Sequence, residues 1–195
     1  MKPSARRVLL ICCTLVFALM MACKPAFSND RRPVVAGVDT AAYLRQAAAS
    51  SKGAPYFFIA DLRLASGAAR FFVVDTKRRR IVAAGLCCSG RTDGAGHTLY
   101  SNDDGSHCSS KGIYQIAEHY TGSYGLAYRL DGLSPTNSHA RARNVVLHSH
   151  ECVPEADPAF AVQSYGCPTL NPAFLVRVDG WIKACGKTKP RLVIL

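Results

Sequence analysis

The chain has 195 residues, with 24 Lys and Arg against 13 Asp and Glu, for a formal net charge of +11 at pH 7. That length suits one well-buried core rather than several domains. Nucleic acid is disfavoured as a partner. Outside Lys77-Arg78-Arg79-Arg80 the basic residues are dispersed, and no stacking motif accompanies them.

The N-terminus reads as a processing signal. Lys2, Arg6 and Arg7 precede an apolar run from Val8 to Ala22, fifteen residues long, and the small-x-small triplet Ala26-Phe27-Ser28 follows. A bilayer span needs roughly 20 apolar residues, so the pattern fits a secretory signal peptide over residues 1–28 better than an anchor helix. The alternative is a lipoprotein signal, in which Leu19-Met20-Met21-Ala22-Cys23 ends before an acylated Cys23. Either way the chain is expected outside the cytoplasm, in the periplasm or cell envelope, with membrane contact only through the signal or a lipid at Cys23. Removal of residues 1–28 leaves about 167 residues and a charge of about +7. On an exported protein such charge favours anionic polymers and envelope surfaces.

Residues 29–54 form a lead-in and a short helix. Asp39-Thr40 caps Ala41 to Ala49, and the cluster from Ser50 to Pro55 breaks it. From Tyr56 the pattern turns to strands. Tyr56–Ala60 is one. Arg70–Asp75 and Arg80–Ala84 form a hairpin around a basic, solvated turn. Residues 87–102 are rich in Gly, Ser and Asp and read as loop. Gly112–Ile116 and Tyr124–Leu130 are further strands, residues 137–143 a turn of helix, and Asn144–His148 a buried-looking strand. Asn171–Ala184 reads as a helix and Leu192–Leu195 as a last strand. Many short strands with few helices predict a mainly β fold, a sandwich of mixed sheets or an open barrel.

Two residues carry the clearest chemistry. His148 ends the strand Val145-Val146-Leu147-His148, so its ring emerges at the rim of the sheet. Cys167 follows Gly166 in Ser164-Tyr165-Gly166-Cys167-Pro168. A base and a soft nucleophile are the minimum for acyl transfer through a thioester. An imidazole titrating near pH 6.5 can take the proton of a thiol. The glycine permits a tight turn whose successive main-chain N–H groups converge on one point, as an oxyanion requires. His150 shares the side-chain parity of His148 and is an alternative base. A packed or disulfide-bonded Cys167 is the plain structural alternative. Beyond the signal region lie Cys87, Cys88, Cys108, Cys152, Cys167 and Cys185; an exported compartment permits disulfides, but the spacing fixes no pairing, and a bond from Cys108 to Cys87 or Cys88, or plain burial of these cysteines, is expected ahead of a metal site. Cys87, Cys88, His97, His107 and Cys108 match no standard zinc spacing.

The motif pair resembles the L,D-transpeptidase catalytic domain (YkuD-type), in its murein L,D-transpeptidase branch, which carries a His-Gly pair and then Ser-x-Gly-Cys. The resemblance extends upstream in order. It takes in Asp61 to Ser66, Ala69 to Asp75, Tyr100 to Ser106, Ser109 to Tyr114, Tyr120 to Gly125, Arg129 to Leu133, Asn137, and Ala140 to Arg143. It covers roughly residues 55–195, the expected catalytic domain. It implies a β-sandwich with flanking helices and a cysteine peptidoglycan L,D-transpeptidase that needs no metal or cofactor and works as a monomer on stem peptides. By resemblance Cys167 is the nucleophile and His148 the base, its third partner a main-chain carbonyl. Amides around Ser164, Tyr165 and Gly166 bind the oxyanion, and Asn102 and Ser110 line the substrate cleft, with Ser106 near them. The acceptor is an amine of a second stem, giving a 3→3 cross-link, or water, giving carboxypeptidase activity. Three positions depart from the pattern: Ser149 stands for the glycine after the histidine, Ser89-Gly90 for an upstream His-Gly, and Pro168-Thr169-Leu170 where many members of the family carry Arg shortly after the cysteine. They leave open a non-catalytic, peptidoglycan-binding relative.

Overall fold

The computed structural model describes residues 37–195. The signal-peptide and lipoprotein expectations, with the cleavage site and Cys23, lie outside these residues. Among the described residues no helix is long and apolar enough to cross a membrane.

Helix α1 (Thr40–Ser50) starts where expected, with the Asp39 carboxylate accepting the Ala42 N–H at 2.9 Å. Its buried positions, Tyr43, Ala47 and Ser50, fall on one face. Strands β1 (Tyr56–Ala60), β2 (Phe71–Asp75) and β3 (Arg80–Gly85) follow as an antiparallel meander. The basic turn between β2 and β3 is a local structural device: Asp75 accepts the Arg78 N–H at 2.8 Å and its guanidinium at 2.9 Å. Strand β5 (Gly112–Gly122) runs six residues beyond the expected segment and forms a long hairpin with β6 (Gly125–Gly132). Strand β7 (Val146–Ser149) carries His148, and β9 (Arg191–Ile194) closes the chain. Two strands of two residues, β4 (Cys87–Cys88) and β8 (Thr169–Leu170), stand where loop was expected. Helix α2 (Pro172–Ala184) is capped by Asn171, whose side chain accepts the N–H groups of Ala173 and Phe174 at 2.9 and 3.2 Å.

All the strands belong to one mixed sheet in the order β3-β2-β1-β9-β5-β6-β7-β8-β4, with β1–β9 and β7–β8 parallel and the other pairs antiparallel. The mainly β, mixed-pairing expectation holds, but the hydrogen-bonded ladder is continuous rather than divided into separate sheets. The layered interior comes from the two ends of that sheet facing a common core. Phe58, Phe71 and Leu192 from one end cluster with Leu130, Leu147 and Leu170 from the other and with Phe174, Leu175 and Val178 of α2. On the opposite face of β1, β2 and β9, α1 covers Phe57, Ile59, Phe72, Val74 and Val193. Strand β2 is therefore buried at every residue, which is why its sequence runs apolar instead of alternating.

Candidate active site

Sheet register builds the floor of the site. Ala127 of β6 pairs with His148 of β7, His148 with Thr169 of β8, and Thr169 with Cys88 of β4. Paired residues on adjacent strands share a face, and all four line one cleft of about 530 Å³ together with Cys167. The hairpin tip at Gly122–Gly125 forms one wall, and Val162–Tyr165 the other. Among the described residues no Asp, Glu, Lys or Arg lines the cleft. Tyr124 stacks on His148 at 5.6 Å between ring centroids and meets His150 edge-on at 4.8 Å.

The two histidines differ in where their protons must sit. His148 Nδ1 lies 3.0 Å from the Ser149 carbonyl oxygen. That oxygen can only accept, so a neutral His148 carries its proton on Nδ1 and keeps a lone pair on Nε2. Nε2 is 3.0 Å from the Thr169 hydroxyl. His150 is reversed: its Nδ1 accepts the Cys152 N–H at 3.0 Å, so its proton sits on Nε2. As a neutral ring His150 has no free lone pair to offer, and of the two candidates His148 alone is set up as a base. Burial pushes the His148 pKa below 6.5, outweighing the Ser149 carbonyl bond, and the nearby His150 adds to the depression.

The Cys167 thiol is a free sulfur, not a disulfide. It donates toward the Asn144 carbonyl at 3.8 Å and accepts the Val146 N–H at 3.4 Å. Burial raises its pKa above 9.0, and the Val146 N–H and the charge of Arg143 offset part of that rise. The resting pair is thus a neutral thiol and a neutral imidazole on one cleft, with the Thr169 hydroxyl at the imidazole lone pair. Thr169 Oγ1 also lies 3.2 Å from the Cys167 carbonyl. Its single proton can serve the lone pair of neutral His148, or turn to that carbonyl when His148 becomes an imidazolium.

The turn before Cys167 is fixed from within. Ser164 Oγ donates to the Cys167 carbonyl at 2.7 Å and accepts the Gly166 N–H at 3.2 Å, while the Ser164 N–H reaches the Ser89 carbonyl at 2.7 Å. Ser164 therefore shapes the turn through its hydroxyl, and the Gly166 amide already has a partner. Gly166 has φ +107, and a Cβ there would lie 2.6 Å from the Cys108 carbonyl oxygen, so the position requires glycine. Tyr165 is 81% exposed, its ring resting on His107 at 4.6 Å, outside the turn.

The residues expected at the substrate lie elsewhere. Asn102 holds the 3-10 turn that follows β6, donating to Ser138 Oγ at 3.0 Å and accepting the His139 N–H at 3.1 Å. Ser110 donates to the Ser101 carbonyl at 3.0 Å. Neither is among the residues lining the cleft, and Ser106 is not either. Thr169 and Tyr124, by contrast, face His148 and carried no sequence signal of their own beyond their place near the motifs.

Two of the departures from the expected pattern have a plain place in the structure. Ser149 sits in β7 without a positive φ, and what holds His148 is its carbonyl, which any residue supplies. Ser89 is buried behind the turn, where its hydroxyl accepts from the Arg70 guanidinium and from Thr98, each at 3.2 Å. Of the two expectations for these cysteines the structure has burial and not the disulfide: Cys87, Cys88 and Cys108 are free, buried thiols, with Cys87 and Cys108 directed at the Cys88 and Ser106 carbonyls at 3.3 and 3.4 Å. Among the described residues no three His, Cys, Asp or Glu side chains cluster as metal ligands.

The model of the L,D-transpeptidase catalytic domain (YkuD_2) matches residues 33–187, and the chain belongs to that family. No curated protein matches the chain. Among solved structures, an L,D-transpeptidase from Mycobacterium smegmatis is 13% identical with a TM-score of 0.42, over 73% of this chain and 59% of that one. The L,D-transpeptidase LdtMt1 in complex with imipenem is 14% identical with a TM-score of 0.42, over 72% and 59%. The helical cell shape determining protein Pgp2 from Campylobacter jejuni is 10% identical with a TM-score of 0.43, over 80% and 54%. The chain thus spans between about half and three-fifths of the length of these proteins, and the family assignment rests on the family model.

Proposed function

We propose that the protein is a cysteine-dependent peptidoglycan L,D-transpeptidase, exported to the cell envelope by its N-terminal segment. Family membership supports the reaction class. The observation that carries the assignment of roles is the opposite tautomers of the two cleft histidines, which leave His148 with an unprotonated Nε2, met only by the Thr169 hydroxyl, on the cleft that Cys167 lines.

In this reading Cys167 Sγ attacks the carbonyl carbon of the L-centre of a meso-diaminopimelate residue in a tetrapeptide stem, and the thiol proton passes to His148 Nε2. The tetrahedral oxyanion is held by main-chain N–H groups of the turn, chiefly those of Tyr165 and Cys167, since the Gly166 amide is bonded to Ser164. The carbon–nitrogen bond breaks, His148 returns the proton to the departing amine, and D-alanine leaves behind a thioester. A side-chain amine of a neighbouring stem then attacks the thioester and restores the thiol, giving a 3→3 cross-link. Water in its place gives the carboxypeptidase product. Because the resting pair is neutral, nucleophile formation and attack are coupled: the thiolate forms as substrate arrives and displaces the Thr169 hydroxyl from Nε2.

The test is acylation by a carbapenem, which mimics the donor. Intact-mass measurement should show one adduct on the wild-type protein and none on Cys167→Ala. A folded wild-type protein that takes no adduct, or an adduct that persists in Cys167→Ala, would overturn the reading.

A further inference from the structure

Behind the Cys167 turn lies a cation that no described carboxylate neutralises. Arg143 is half-buried and spends its guanidinium on neutral acceptors. Nη1 donates to the Ser101 carbonyl at 3.0 Å and to Ser110 Oγ at 2.7 Å. Nη2 donates to Ser106 Oγ at 3.1 Å and to the Cys108 carbonyl at 2.8 Å. Among the described residues no carboxylate pairs with it, whereas Arg141, two residues earlier, is paired with both Glu118 and Asp131. Removing a charge from water without an opposite charge is costly, so the site keeps a positive potential that an anion can use.

Arg143 also controls the backbone under the nucleophile. The Cys108 carbonyl that it grips is the atom a Cβ on Gly166 would strike, and that Cβ would lie 3.7 Å from Arg143 Nη2. The next residue of the strap, Ser109, donates to the Gly166 carbonyl at 3.2 Å. Ser101, Ser106, Cys108 and Ser110 are thereby gathered by one guanidinium into a support pressed against the Cys167 turn. The Cys167 thiolate and the oxyanion of the tetrahedral intermediate would form on that turn, one residue from Gly166.

We propose that Arg143 is a positioning residue for acyl transfer: its guanidinium fixes the 101–110 segment beneath the Cys167 turn, and its unpaired charge stabilises the thiolate and the oxyanion that follows. The inference rests on the acyl-transfer reading above. Ser106 and Ser110, expected at the substrate from the sequence, take part through Arg143 instead. The direction of the charge effect is already visible in the resting state, where Arg143 works against the rise that burial imposes on the Cys167 thiol.

The experiment measures alkylation of Cys167 by iodoacetamide as a function of pH, resolved from Cys152 by peptide fragmentation, in the full protein and in Arg143→Lys, Arg143→Met and Ser106→Ala. Acyl transfer from a tetrapeptide stem is measured alongside. Arg143→Met should raise the alkylation midpoint by about 0.5 pH unit or more and lower acyl transfer at pH 7 at least about tenfold. Arg143→Lys should recover the midpoint but not the full rate, since an ammonium cannot hold four acceptors in one plane. Ser106→Ala should keep the midpoint. If Arg143→Met does not fold, the lysine variant decides: a wild-type rate with the fork lost overturns the proposal. An unchanged midpoint in folded Arg143→Met overturns it as well. A shifted midpoint in a protein that transfers no acyl group would uphold the Arg143–Cys167 coupling and sink the acyl-transfer reading instead.

Discussion

Gly166→Ala is the sharpest perturbation of the proposed nucleophile turn. At φ +107 the position lies outside the regions open to L side chains, and a strained backbone of this kind costs about 1–3 kcal/mol. The new Cβ would lie 2.6 Å from the Cys108 carbonyl oxygen, against 3.4 Å for ordinary contact, so the turn or the strap must yield by about 0.8 Å. Neither yields freely, because the Ser164 N–H ties the turn to the Ser89 carbonyl at 2.7 Å and the Ser109 hydroxyl ties the strap to the Gly166 carbonyl at 3.2 Å. A misplacement near 1 Å at a reacting centre costs on the order of 100-fold in rate. We therefore expect urea unfolding to show a loss of about 1–3 kcal/mol and carbapenem acylation to slow about 100-fold. Gly94→Ala, at a glycine with no atom within 4 Å of its Cβ, should change neither. Wild-type stability and acylation in Gly166→Ala would refute the claim that the turn demands glycine.

His148→Asn should lower acyl transfer by about 10²–10⁴-fold, the range for loss of a general acid–base group. His150→Asn should stay within about tenfold of wild type, and the reverse order would show the tautomer argument to be wrong. Acyl transfer should hold its rate from pH 7 down to about 6.5, because burial holds the His148 pKa below its ordinary value and the ring stays a neutral base; it should fall only as pH drops through that lowered pKa. Alkylation of Cys167 without substrate should remain slow at pH 7 and climb only as pH rises through a thiol pKa held above 9.0 by burial. Fast alkylation at pH 6 would indicate a resting thiolate–imidazolium pair instead. Leu147→Ala removes a fully buried side chain beneath His148 and should cost about 2–5 kcal/mol by urea unfolding, with acyl transfer reduced as the strand resettles.

Much of the fold was legible where local chemistry decides it. Asp39 announced its helix because a capping side chain bonds the first amides wherever the rest of the chain lies. The β2–β3 hairpin followed from two apolar runs around a polar turn. Strands β4 and β8 were not legible, since two residues cannot show a period and each exists through pairing with a distant partner. The far end of β5 was missed because Ala117–Gly122 is largely exposed and its ladder carries no alternating apolar stripe. At the site, His148 and Cys167 stood out by residue type and by order along the chain. The choice between His148 and His150 did not, because it rests on a main-chain carbonyl and a main-chain N–H that no side chain encodes. Asn102 and Ser110 were expected to meet substrate, yet residues of this kind bond neighbouring backbone and fix turns, and that tendency prevailed. Arg143 belonged to a matching block in the sequence, but its importance lies in which carbonyls it gathers.

The most direct measurement is incubation of the purified mature domain with a disaccharide tetrapeptide, read by mass spectrometry for release of D-alanine and for dimers. Release of D-alanine, with 3→3 dimers or the trimmed stem as products, is expected for the wild type and abolished in Cys167→Ala. Unaltered tetrapeptide after incubation with folded wild-type protein, or equal turnover by Cys167→Ala, would contradict a Cys167 thioester at this cleft.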